Sequence, residues 1–283
     1  MKDNKIATNY TINCQGKLID FSTTRIMGIL NVTPDSFYSE SQITNEKQLL
    51  QTAETHLNGG ATILDIGGYS TQPGASDVSE DEEYKRVIPM IESLRKNFSQ
   101  AFISVDTFRS AIAKEAIYSG ANIINDVSGG NLDPKMFETV ALLKAPYILM
   151  HSRGNPKTMQ TMTNYQNITQ DVILDLSQKV TTLTELGVHD IIIDPGFGFA
   201  KNIDQNFELL QNIKRFKLLN KPILVGISRK SMIHKELNIK NEQALSGTTA
   251  LNTFSLLNQA QLLRVHDVKE AEETIHLMSK LNQ

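Results

Sequence analysis

Short apolar runs alternate with amphipathic stretches along most of the chain. Runs of three to six mostly apolar residues occupy 26–30, 61–66, 102–105, 122–124, 147–150, 191–193, 223–225 and 262–265. Between them lie segments with helical spacing of apolar positions, at about 46–58, 80–97, 109–119, 134–143, 168–186, 203–217, 242–258 and 268–281. An uninterrupted apolar run of this length reads as a strand buried on both faces, as in a parallel sheet. Several helical segments run into glycine, at Asn58-Gly59-Gly60, Ser119-Gly120 and Leu186-Gly187, which suits a C-terminal cap. Eight strand–helix units in about 255 residues predict a (β/α)8 TIM barrel over 26–283. A doubly wound open sheet would carry a Gly-x-Gly-x-x-Gly turn after its first strand, and there is none. Residues 1–25 stand outside the repeat. Two alternating pieces, 10–13 and 17–19, flank Gln15-Gly16 and predict a short N-terminal β-hairpin covering one end of the barrel.

The sharpest local signal is Ile191-Ile192-Ile193-Asp194-Pro195-Gly196-Phe197-Gly198-Phe199. Three β-branched residues lead straight to a carboxylate at the strand's exit. Proline then ends the ladder, and two glycines allow a tight turn and close approach of a ligand. The alternative for Asp194 is an acidic cap of the next helix. Other runs also end in polar residues: Asn31, Asp65, Asp106, Asn125, Lys230, and Arg264 with His266. Gathered at the C-terminal ends of strands, they would furnish one rim of the barrel with hydrogen-bonding groups. Arg264 and His266 share a strand face and suggest an anion site, or else a salt bridge to Asp267 or Asp65. Ser228 and Lys230 share a phase if the strand stays extended past Gly226. Asp126 and His151 fall out of phase or beyond their strands and read as structural. Two long polar loops, 31–45 and 67–79, follow strands and would lie over the same rim.

Composition narrows the class. The chain has 283 residues, 40% of them hydrophobic, and a net charge of −3. That is enough for a large core and too balanced for a nucleic-acid or polybasic membrane binder. Cys14 is the only cysteine, so neither an intrachain disulfide nor a cysteine metal cluster can form. No apolar run approaches the ~20 residues that span a bilayer, and the start of the chain lacks an apolar signal core. A soluble cytoplasmic protein is expected.

Seven motifs, in order, resemble those of the dihydropteroate synthase family. They are Met27-Gly28-Ile29-Leu30-Asn31-Val32-Thr33-Pro34-Asp35-Ser36-Phe37, Asp65-Ile66-Gly67-Gly68-Tyr69-Ser70-Thr71-Gln72-Pro73-Gly74, Ser104-Val105-Asp106-Thr107, Ile124-Asn125-Asp126-Val127-Ser128-Gly129-Gly130, Asp194 to Phe199, Ser228-Arg229-Lys230-Ser231 and Arg264-Val265-His266-Asp267. The resemblance implies the same barrel fold. It also implies a reaction of folate synthesis: 6-hydroxymethyl-7,8-dihydropterin pyrophosphate condenses with p-aminobenzoate to 7,8-dihydropteroate and pyrophosphate, by displacement at carbon. It implies Asp106, Asn125, Asp194 and Lys230 around the pterin, and Arg264, His266 and Thr71 at the pyrophosphate. Phe199 and Ser228, with Phe37 and Pro73, would meet p-aminobenzoate, and Asn31 would contact Mg²⁺. Asp106, Lys230, Arg264 and His266 would stand at the reacting centre. A carboxylate accepts the paired donors of a pterin, and an arginine fork suits phosphate. A homodimer is also implied.

Two positions depart from the family pattern: Gln72 replaces a basic residue, and Ala200 stands where glycine is common, a change that matters only where φ is positive. Rival readings are a folate-dependent methyltransferase domain, a non-catalytic pterin binder, and a phosphosugar isomerase or aldolase on the same barrel.

Overall fold

The computed structural model describes residues 10–31, 42–69 and 78–281. A hairpin of β1 (Thr11–Cys14) and β2 (Lys17–Asp20) comes first. Its turn places Gln15 and Gly16 at φ 53° and 92°, the left-handed pair that matches strand twist in a two-residue hairpin. Eight parallel strands follow: β3 (Arg25–Asn31), β4 (Ile63–Gly67), β5 (Phe102–Asp106), β6 (Ile123–Asp126), β7 (Tyr147–Met150), β8 (Ile191–Asp194), β9 (Leu224–Val225) and β10 (Leu262–Val265). They pair in the order β8-β7-β6-β5-β4-β3-β10-β9. A parallel bridge between Ile193 and Ile223 joins the two ends and closes the barrel.

Alternation along the strands sorts side chains into two cores. Outward residues such as Leu64, Ile66, Ile103, Val105, Tyr147 and Leu263 pack beneath the helices. Inward residues Met27, Ile63, Ile123, Ile148, Ile192, Leu224 and Leu262 fill the barrel's N-terminal end. Ile12, Cys14, Ile19 and Phe21 of the hairpin region pack on that inner layer and plug it from below. Burial raises the Cys14 thiol to about 12, so this cysteine behaves as a small apolar residue.

The helices are α1 (Gln42–Asn58), α2 (Glu80–Asn97), α3 (Ser110–Tyr118), α4 (Met136–Leu143), α5 (Ile168–Glu185), α6 (Ile203–Gln211), α7 (Ser231–His234), α8 (Leu245–Leu257) and α9 (Val268–Leu281). Their ends follow local chemistry. Ser79 caps α2 by accepting from the Glu82 amide at 3.2 Å, with four acids in its first turn and Arg95 and Lys96 in its last. Asn202 and Gln205 form a reciprocal capping box at the start of α6. That box ends the β8 loop at a fixed residue. The helix predicted over 203–217 breaks after Gln211 and continues as a 3₁₀ turn at Ile213–Leu219.

Candidate active site

Inward phase carries the polar strand ends into the barrel's C-terminal mouth. Register puts Asp65 beside Ser104, and Asp106 beside Asn125, on adjacent strands. Asn31 ends β3 level with Gly67, which is in turn level with Asp106. A side chain at Gly67 would put its Cβ 3.2 Å from the Asp106 Cβ, so glycine leaves that carboxylate room. Asp126 points the other way. It accepts from the Ser128 and Gly130 amides and from the Tyr147 hydroxyl, a structural knot behind the sheet.

Arg264 is the hub. Its Nε donates to Asp65 Oδ2 at 2.7 Å and its Nη2 donates to Asp106 Oδ2 at 2.8 Å. The same Asp65 oxygen accepts from Asn125 Nδ2 at 3.1 Å. Asp65 Oδ1 is buried without a partner, as is the Ser104 hydroxyl. Burial would pull the guanidinium down, but Asp65 and Asp106 outweigh it and keep Arg264 firmly protonated. Asp106 rises to about 7: burial pushes it up, Arg264 pulls it down, and the Asp65 carboxylate pushes it up again. Burial also raises Asp194, against the pull of Lys230 and of the Gly196 amide, which donates to Asp194 Oδ1 at 2.7 Å. Lys230 falls to about 8 through burial, with Asp194 opposing.

Ser228 and Lys230 would share one strand face only if the strand stayed extended past Gly226, and it does not. β9 is only two residues long, and the Lys230 amide turns back to the Ile227 carbonyl, with Arg229 at φ 56°. The turn sends the two side chains to opposite neighbours. Lys230 reaches the β8 loop, where Nζ donates to the Phe197 carbonyl and lies 4.8 Å from the Phe199 ring centroid. Ser228 reaches β10, its hydroxyl 3.0 Å from His266 Nδ1 and accepting from the His266 amide at 3.2 Å. Asp267 pairs with Arg229, leaving Arg264 to the barrel interior. His266 is exposed, and solvent at that face weakens the downward pull of desolvation, Arg264 and Arg229 on its pKa.

Asp106, Asn125, Asp194, Lys230, Arg264, His266, Ser228 and Phe199 thus come from the C-terminal ends of five strands, β5, β6, β8, β9 and β10, or the loops that follow them. Thr71, Phe37, Asp35, Pro73 and Gln72 lie outside the described residues. Asp65 is the residue whose part was underrated by sequence. It stands in the inward phase of Ile63-Leu64-Asp65, and a carboxylate amid buried apolar residues needs a cation. In the first turn of α2, buried Glu83 accepts from Thr107 at 2.6 Å and pairs with Arg109, which also holds the Val78 carbonyl. A cavity of about 530 Å³ lies at the other end of the barrel, bordered by Thr24, Arg25, Thr62 and His276. It holds none of these groups.

The family described as pterin-binding enzymes matches residues 27–266. The dihydropteroate synthase of Escherichia coli strain K12 is 40% identical over 266 residues, covering 93% of this chain and 94% of its own. A Yersinia pestis dihydropteroate synthase solved as a sulfonamide drug complex superposes with a TM-score of 0.90 at 38% identity, covering 96% of this chain and 99% of that one. The Xanthomonas albilineans dihydropteroate synthase with 4-aminobenzoic acid has a TM-score of 0.90 at 34% identity, with 97% and 98% covered. With these likenesses running almost end to end over a barrel whose polar strand ends meet at one mouth, the chain belongs to the dihydropteroate synthases, within the pterin-binding enzyme family.

Proposed function

We propose that the barrel mouth divides into three parts that serve the family's reaction, the condensation of 6-hydroxymethyl-7,8-dihydropterin pyrophosphate with p-aminobenzoate in folate biosynthesis. The carrying observation is Arg264, whose guanidinium touches Asp65 and Asp106 beside Asn125. It puts a phosphate-binding fork against the groups suited to a heterocycle.

Asp194, Asn125, Asp106 and Lys230 bind the pterin. A buried carboxylate accepts its amino and ring N–H donors, and the asparagine supplies both a donor and an acceptor. Arg264 and His266 receive the pyrophosphate, with Thr71 of the second loop. Phe199 gives p-aminobenzoate an apolar wall, and Ser228 offers its carboxylate a hydroxyl. In the Xanthomonas relative 4-aminobenzoic acid is the ligand present, which supports a slot for that ring here.

The C–O bond to pyrophosphate breaks and its electron pair leaves with the phosphate. Arg264 stabilises that charge as it grows. The p-aminobenzoate nitrogen attacks the electron-poor carbon, the C–N bond forms, and the nitrogen loses a proton. No covalent enzyme intermediate is needed. In this reading bond breaking runs ahead of attack, with the Asp106 carboxylate favouring a cation-like carbon.

Asn31 suits Mg²⁺. It ends its strand level with Asp106 on one rim, and its amide oxygen is a hard donor. Bound there, the metal would neutralise pyrophosphate charge. The protein acts as a homodimer in the cytoplasm; no described helix is long and apolar enough to cross a membrane. The direct test is pyrophosphate release on mixing the two substrates with Mg²⁺. Release that depends on both substrates supports the reading; none refutes it. A methyltransferase domain or a mere binder would release none.

A further inference from the structure

We propose that Lys201 is a positioning residue that clamps the β8 loop from behind and so sets Asp194 and Phe199 for the substrates. Lys201 is buried, with 4% of its surface exposed. Its Nζ donates to the Gly196 carbonyl at 2.9 Å and to the Phe199 carbonyl at 2.9 Å, and lies 3.0 Å from His151 Nδ1. Burying an ammonium is unfavourable unless its hydrogens are used. Here the partners belong to the turn between the predicted pterin carboxylate and the predicted aromatic wall, and to the histidine packed behind it.

The loop needs such a clamp. Gly196, Gly198 and Ala200 sit at φ 74°, 83° and 51°, three left-handed residues in five. Alanine pays for that conformation where glycine would not. Gly196 is also pressed onto β7: a Cβ there would come within 1.9 Å of the His151 carbonyl oxygen. Two lysines divide the loop's carbonyls. Lys230 takes Phe197 from the mouth, and Lys201 takes Gly196 and Phe199 from behind. The Gly196 amide binds Asp194 Oδ1, and the His151 amide donates to the Asp194 carbonyl at 2.9 Å. Any shift of Gly196 therefore reaches the carboxylate directly. His151 and Lys201 are both pulled well below their usual pKa, burial being the larger cause. The two side chains share one hydrogen bond, between Lys201 Nζ and His151 Nδ1.

The inference rests on reading Asp194 as the pterin's carboxylate. Its test is Lys201→Met, which keeps the length and removes the donors. Kinetics are taken at a temperature where the variant's melting curve shows it folded. The expected results are a 10–100-fold weaker Kd for 6-hydroxymethylpterin by calorimetry, of the order that misplacement by ~1 Å produces, and an equal fall in kcat/KM for the pterin substrate. Amide exchange should quicken at least ~10-fold in residues 195–200 and stay unchanged in the strands. Lys114→Met is the control: Lys114 is exposed on α3 over the Tyr118 ring, and Kd should stay within about twofold of wild type. A purely stabilising role lowers the melting temperature but leaves Kd alone. A folded Lys201→Met protein with wild-type Kd and wild-type loop exchange overturns the proposal. If that variant does not fold, Lys201→Gln, whose shorter amide keeps two of the three N–H donors, is measured by the same criteria. Absence of pyrophosphate release by the wild-type enzyme would instead count against the proposed reaction, and loop exchange still decides the clamp.

Discussion

Arg264→Ala separates the two duties of the central arginine. In the structure its guanidinium lies between two carboxylates, at 2.7 Å from Asp65 and 2.8 Å from Asp106. The Asp65 side chain is fully buried and that of Asp106 is 16% exposed. Truncation leaves both carboxylates without their guanidinium, and Asn125 donates to Asp65 alone. Breaking a buried pair in this way is worth about 3–5 kcal/mol. At ~2–4 °C per kcal/mol for a domain of this size, melting should fall by about 6–20 °C at pH 8.

The pH dependence has a definite sign. Asp106 titrates near 7 in the folded chain, above the ordinary 3.8, even with Arg264 pulling it down. Removing that pull raises it further. A carboxyl with a raised folded pKa binds more protons in the native than in the unfolded state between those two values. Its contribution to stability is therefore present below the unfolded value and is lost as pH rises through the folded one. The gap between wild type and Arg264→Ala should accordingly be smaller at pH 5 than at pH 8. Adding Asp106→Asn removes the like charge and should restore about 1–3 kcal/mol of the loss. It should restore none of the activity, because the pyrophosphate still lacks its fork. Differential scanning calorimetry at the two pH values, with a pyrophosphate-release assay, reads all of this. An Arg264→Ala melting loss under about 2 °C at pH 8, or no recovery in the double variant, would show that the carboxylates do not depend on this arginine.

Four further outcomes follow from the same geometry. Plotted against pH, kcat/KM should rise with an apparent pKa near 7 as Asp106 ionises and fall near 8 as Lys230 loses its proton; Asp106→Asn should abolish the acid limb, and a profile flat from pH 5 to 9 contradicts the assignment. Asp194→Ala should weaken pterin binding by roughly 10²–10³-fold, since the pterin's paired donors lose the buried carboxylate that accepts them; near-normal affinity by calorimetry removes Asp194 from the pterin site. Phe199→Leu should raise KM for p-aminobenzoate more than KM for the pterin substrate, whereas equal effects would mean that the ring only packs the loop. Ala200→Gly should raise the melting temperature by about 1–3 °C, because relief of ~1–2 kcal/mol of left-handed strain exceeds the unfolded-chain entropy that glycine restores; a drop would mean that the methyl's packing matters more.

What could be read in advance, and what could not, divides along the line between local and long-range chemistry. Ile191-Ile192-Ile193-Asp194 announced a buried strand with a carboxylate at its exit because burial on both faces leaves an uninterrupted apolar run. Repeating that pattern eight times is enough to name the barrel and the rim where its polar ends collect. The pairings on that rim come from ring closure. Arg264 meets Asp65 across 199 positions and Asp106 across 158, a proximity that exists only because β10 lies against β3, with β4 and β5 following β3 around the barrel. Local phase alone therefore could not tell whether Arg264 would face Asp267 or Asp65. Nor could it settle Ser228 and Lys230, where extension stops at Val225 and a left-handed Arg229 swings two side chains apart. Lys201 was invisible for another reason. Beside an asparagine cap it looks like any solvated lysine, and its burial is set by His151, fifty positions away. In this barrel the strands locate the reacting groups, while the side chains that hold them there, on a strand for Asp65 and a loop for Lys201, find partners far off in sequence. Substitutions behind the rim, at Asp65 or Lys201, should therefore disturb the chemistry as surely as substitutions on it.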